Sequence, residues 1–133
     1  MNMNAKAADF VFITVTDLTE SVSFYRDTLG LELETLNEDG GFAEFALPPT
    51  TLSLGEATPQ MPITPGEGGT SVAMAVDDVD TATEELQNGG TTVPMESIET
   101  NVCHLSIIAD PDGNPITLHE RKDGTHGRRD PFP

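Results

Sequence analysis

The amino-acid sequence predicts an α+β fold in which two βαβββ repeats, each a curved sheet, form a cupped mixed sheet. Three observations predict it. Val11, Val15 and Asp17 stand 61 positions before Val72, Val76 and Asp78, so one pattern occurs twice. Each copy reads as a β-branched strand, an Asp-capped helix, a glycine stop and three further strands. Turn residues punctuate both copies at matching places.

Residues 10–16, Phe-Val-Phe-Ile-Thr-Val-Thr, are β-branched and aromatic and predict a strand. Asp17 caps the helix that follows, with Glu20 three residues on in a capping-box pattern. Leu18, Val22, Tyr25 and Leu29 fall on one helical face, and Gly30 ends the helix. Strands are expected at about 31–36, 42–47 and 51–55, separated by Asn37–Gly41 and by Pro48-Pro49. Residues 57–69 hold three prolines and three glycines without periodicity and read as a connector. The second copy predicts a strand at 71–76, a helix opened by Asp77-Asp78 and stopped by Gly89-Gly90, and strands at about 91–95, 102–109 and 115–120. Repeat one therefore covers about 9–56 and repeat two about 70–121, within a single domain of residues 1–133. The polar segment 122–133 reads as a mobile tail.

Strand alternation assigns faces. Val11, Ile13 and Val15, with Val72, Met74 and Val76, should pack under the helices, as should Leu52, Leu54, Ile116 and Leu118. That turns Phe10, Phe12, Thr14, Ser53, Ser71, Ala73, Thr117 and His119 toward the concave side. In the third strands Phe45, Leu47, Leu105 and Ile107 read as core. This reading sends Glu44, His104 and Ser106 into the cup. Small and polar residues beside aromatics suit a lined cavity, so these eleven residues are the candidate ligand pocket.

Charge sets the function classes. Asp and Glu number 23 against 6 Lys and Arg, a formal net charge of −17. Nucleic-acid binding needs basic patches, and so does binding to anionic membranes; neither is expected. An acidic, lysine-poor surface suits a cytoplasm at molar salt, where the Debye length falls to about 3 Å; an ordinary acidic protein is the other reading. No apolar run has membrane-spanning length, and the first nine residues show no signal-peptide pattern. Cys103 is the only cysteine, which excludes an internal disulfide and points to a reducing, cytoplasmic setting. It reads as core filler.

The segment Phe24-Tyr25-Arg26-Asp27-Thr28-Leu29-Gly30-Leu31 resembles the FYRDxLGL signature of the vicinal-oxygen-chelate superfamily. Asp110-Pro111-Asp112-Gly113-Asn114 before the last strand is similar to its DPDGN turn, and Val76–Asp80 to the start of its second helix. The likeness spans about residues 9–121. It implies the fold shared by glyoxalase, bleomycin-resistance and dihydroxybiphenyl-dioxygenase proteins, and a homodimer in which a second subunit completes the cup. It also implies one divalent metal, held from the first and fourth strand of each repeat, that stabilises charge on neighbouring substrate oxygens. Those four positions here are Phe10, Ser53, Ser71 and Thr117. Phe cannot coordinate, and a neutral hydroxyl is a poor ligand for a divalent ion. No metal and no cofactor are therefore expected.

His104 and His119 are the only histidines before the tail. They read either as an acid–base or ligand-binding pair, with Glu44 in reach, or as hydrogen-bonded rim residues, and the second reading is favoured. A displaced metal site from His104, His119 and Glu44 is a less favoured alternative. Asp80, Glu84 and Glu85 read as a solvated helix face. The expected function is metal-independent binding of a small, partly aromatic organic molecule. The alternatives are a lyase, isomerase or dioxygenase with atypical ligands, and a fold kept for assembly; no catalytic residue is assigned.

Overall fold

The computed structural model describes residues 3, 4, 6, 8–59, 64–67 and 70–127. Repeat one contains β1 (Val11–Val15), α1 (Leu18–Ser23), β2 (Glu32–Asn37), β3 (Phe42–Leu47) and β4 (Thr50–Glu56). Repeat two contains β5 (Val72–Ala75), α2 (Val79–Asn88), β6 (Met95–Glu99), β7 (Cys103–Ala109) and β8 (Pro115–Arg121). Each repeat builds a four-stranded mixed sheet, ordered β1-β4-β3-β2 in the first and β5-β8-β7-β6 in the second. The first and last strand of each repeat pair in parallel and the rest antiparallel, so the two copies have one topology.

Both helices begin where the sequence sets a cap. The Asp17 carboxylate accepts from Glu20 N at 3.1 Å, and Asp78 accepts from Thr81 N at 3.0 Å, each satisfying a donor with no partner inside its helix. The first helix then departs from expectation. After Ser23 it widens into a π-helical turn over Phe24–Thr28, closed by Leu29 N donating to Phe24 O. The turn leaves Tyr25 fully buried beside Phe45, at a ring-centroid distance of 6.0 Å.

The strand expected at 91–95 lies later, at Met95–Glu99. Pro94 has no N–H to donate to a ladder, so regular pairing starts only beyond it. Residues 122–127, expected in the mobile tail, take a turn path: Arg121 donates to Thr125 Oγ1 and to Gly127 O. Residues 128–133 of that segment lie outside the described residues.

The alternation of β1, β4, β5 and β8 holds. Val15, Leu52, Leu54, Met74, Ile116 and Leu118 are buried in one core cluster with Leu18, Val22 and Tyr25 of the first helical segment and Val79 of α2. The cluster draws on both repeats. A polar bracket joins them as well, because the Asp110–Asn114 turn reaches across to repeat one. Asp112 Oδ2 accepts from Thr16 N at 3.0 Å, Asn114 Nδ2 donates to Thr14 O at 3.2 Å, and the Tyr25 hydroxyl donates to Asp110 Oδ2 at 2.9 Å. Among the described residues, no helix is long and apolar enough to cross a membrane.

Candidate functional site

Strand register fixes which side chains share a face, because residues directly opposed across a ladder point the same way. In repeat one, Ser53 opposes Phe12 on one side and Glu44 on the other, while Gly55 opposes Thr14 and Phe42. Phe12, Thr14, Glu44 and Ser53 thus share the face away from the helix. The Phe12 ring lies directly over Gly55: a Cβ there would sit 2.5 Å from Phe12 Cζ. Glycine at this position leaves room for the far edge of the ring. Phe12 and Phe42 are 36% and 38% exposed, and Phe10, just before the strand, is 55% exposed. Phe42 is an aromatic member of this face that strand parity could have found from its spacing to Glu44.

In repeat two, Thr117 opposes Ala73 and Ile107, and His119 opposes Ala75 and Leu105. Ala73, Thr117 and His119 share the concave face. Ser71 joins them through its Oγ, 3.0 Å from Thr117 Oγ1 and 3.2 Å from the Pro115 carbonyl.

The third strand of repeat two corrects the sequence reading. Ser106 opposes Leu118 and His104 opposes Glu120, so both face the α2 side and not the cup. Ser106 is fully buried and its Oγ lies 2.8 Å from Thr83 Oγ1 of α2. His104 lies 3.9 Å from both Glu99 and Glu120 carboxylates, and Glu120 in turn accepts from Val79 N at the start of α2. Leu105 and Ile107, half-buried, take the concave places. Buried serine is tolerated there because Thr83 supplies its hydrogen bond. His104, His119 and Glu44 therefore do not converge, and the displaced metal site drawn from them is not formed.

Two cavities lie beside these faces. One, of about 820 Å³, is bordered by Ala73, Ala75 and His119, by Leu47–Thr50 of repeat one, and by Arg121, Lys122 and residues 124–127. The other, of about 230 Å³, lies between Phe12 and Thr14 of β1 and Thr64, Glu67, Thr70, Val72, Asn114 and Pro115. The buried Thr14 Oγ1 beside it makes no hydrogen bond to the described residues. The candidate pocket residues are thus divided: Phe12 and Thr14 border the small cavity, Ala73 and His119 the large one. Phe10, Glu44, Ser53, Ser71 and Thr117 border neither.

Residues 7–118 match the family described as the Glyoxalase/Bleomycin resistance protein/Dioxygenase superfamily. The chain belongs to this superfamily. It is 29% identical over 126 residues to a lactoylglutathione lyase of Escherichia coli O157:H7, covering 86% of this chain and 93% of that protein. A probable lactoylglutathione lyase of Vibrio parahaemolyticus is 24% identical, with 86% and 91% covered. Among solved structures, TnmS3, an antibiotic-binding protein from Streptomyces sp. CB03234, superposes with a TM-score of 0.71 at 28% identity, covering 91% of this chain and all of that one. A glyoxalase/bleomycin resistance protein/dioxygenase from Nocardioides has the same fold, with a TM-score of 0.71 at 22% identity and coverage of 97% and 93%.

The four positions where the family resemblance leads one to expect metal ligands carry side chains that are poor donors for a divalent ion. Ser71 and Thr117 offer neutral hydroxyls already engaged with one another. Phe10 offers carbon, and Ser53 a single hydroxyl. Among the described residues no group of three or more His, Cys, Asp or Glu is placed to hold a metal.

Proposed function

We propose that this superfamily member binds a small, partly aromatic organic molecule on its concave surface without a metal. The observation that carries the reading is the donor set at Phe10, Ser53, Ser71 and Thr117, in which no carboxylate or imidazole remains. The surface left behind suits a flat apolar ligand: the Phe12 ring lies on Gly55, with Phe42 on the same face. The antibiotic-binding TnmS3 supports binding as a role this fold can hold at comparable sequence distance. A metal-dependent lyase would need donors that these four positions lack.

The exposed Phe10 and Phe42 also favour a homodimer in which the partner completes the cup. The test is titration of chelator-treated protein with an aromatic fluorescent probe. Saturable binding without added metal is the expected result. Binding that appears only after zinc or nickel is added would overturn the proposal.

A further inference from the structure

The larger cavity gathers positive charge in a chain that has very little of it. Of the six Lys and Arg, the described residues include Lys6, Arg26, Arg121 and Lys122, and the last two border this cavity together with His119 and His126. In a chain with a net charge of −17, two of the six Lys and Arg thus border one space, with two histidines beside them. Its volume, about 820 Å³, lies within the range of small-molecule sites.

The basic groups differ in how far they are already neutralised. Lys122 is held by the Glu99 carboxylate. Arg121 donates only to neutral acceptors, Thr125 Oγ1 at 3.2 Å and Gly127 O at 2.8 Å. These bonds use two of the five guanidinium N–H groups. They also hold the guanidinium in place, so its charge stays fixed and without a carboxylate partner among the described residues. Two carboxylates border the same space. Glu120 is committed to Val79 N on the other face of the sheet, and Asp77 is exposed. Ala73 and Ala75 give the floor methyl groups only, which leaves room for a planar ring.

We propose that the ligand of this chain is an aromatic carboxylate, with its carboxylate on Arg121 beside His119 and its ring over Ala73 and Ala75. A planar guanidinium matches a carboxylate in a two-bond fork, and such charge-assisted bonds are the strong ones. This rests on the small-molecule reading above and names the chemical class of the molecule. It places the anchor for the acid group in the second repeat.

The test compares naphthoate with the neutral naphthalenemethanol on full-length protein. It is run in potassium chloride on the order of 1 M, where long-range repulsion of an anion is screened. Naphthoate should bind about tenfold or more tightly than the alcohol. Arg121→Gln should remove that preference, and Arg26→Gln should keep it. Equal affinities for the two probes, or a preference that survives Arg121→Gln, would overturn the carboxylate assignment and leave the small-molecule reading standing. Binding of neither probe would overturn both. If circular dichroism shows that Arg121→Gln is unfolded, the histidine ring NMR signals of the unaltered protein decide. Naphthoate should move those of His119 and His126 and spare His104; a shift confined to His104, or none, would overturn the assignment.

Discussion

The hydroxyl of Tyr25, fully buried in the first repeat, donates a 2.9 Å hydrogen bond to Asp110, which lies 85 residues away at the head of the last turn of the second. Asp110 is itself buried and spends its other contacts locally, accepting from Asp112 N, Asn114 N and Asn114 Nδ2. The bond ties the π-helical turn of one copy to the Asp-Pro-Asp-Gly-Asn turn of the other.

Tyr25→Phe should therefore destabilise the protein by ~1–3 kcal/mol, the cost of leaving a buried acceptor short of a donor. Urea denaturation followed by circular dichroism measures it. A loss below a few tenths of a kcal/mol would mean that the bracket adds nothing to the core.

Tyr25 is the only tyrosine, so its ionisation can be watched without interference. Burial first, and then the Asp110 carboxylate, push its pKa well above the ordinary phenol value of about 10. The folded pKa is raised, so the stability it contributes is complete below about pH 10 and is lost as the pH rises beyond it, where only the unfolded chain ionises. Native protein should show no tyrosinate absorbance until it unfolds, and urea-unfolded protein should titrate near the ordinary value. A native titration near pH 10 would place Tyr25 in solvent.

Ser106→Ala should cost about 1 kcal/mol and leave ligand binding unchanged, because the hydroxyl bonds to Thr83 on the helix side of β7. Thr83 keeps its bond to Val79 O, which limits the loss. Unchanged stability with weakened binding would restore Ser106 to the cup.

Ser106 also shows where the sequence stops being legible. Asp17 and Asp78 announce their helices because a cap is a local device, read three residues away. Leu52, Leu54, Ile116 and Leu118 announce their face because the middle of β4 and of β8 alternates aliphatic residues with small polar ones. β7 offers no such contrast. Leu105 and Ile107 line a concave face that is itself half-buried, while the polar Ser106 sits in the core because a threonine 23 residues earlier satisfies it. Polarity alone thus inverts the parity of that strand and misplaces His104 with it. The π-helical turn and the path of residues 122–127 escape for a related reason: each is held by contacts that no local pattern encodes.

Net charge gives a further expectation. Seventeen uncompensated negative charges repel one another in dilute buffer and are screened at molar salt. The melting temperature should rise markedly between the two. A flat response would mean that the acidic surface carries no salt adaptation.

We propose that Phe10, Ser53, Ser71 and Thr117, standing where the family resemblance leads one to expect ligands, hold no divalent ion. Elemental analysis of protein purified without chelator tests it most directly. The expected result is far less than one equivalent of any transition metal per chain, and a melting temperature unmoved by chelator, since a tightly bound ion would stabilise the folded state by mass action. One equivalent of zinc, nickel or iron per chain, with a melting temperature that falls on its removal, would contradict it.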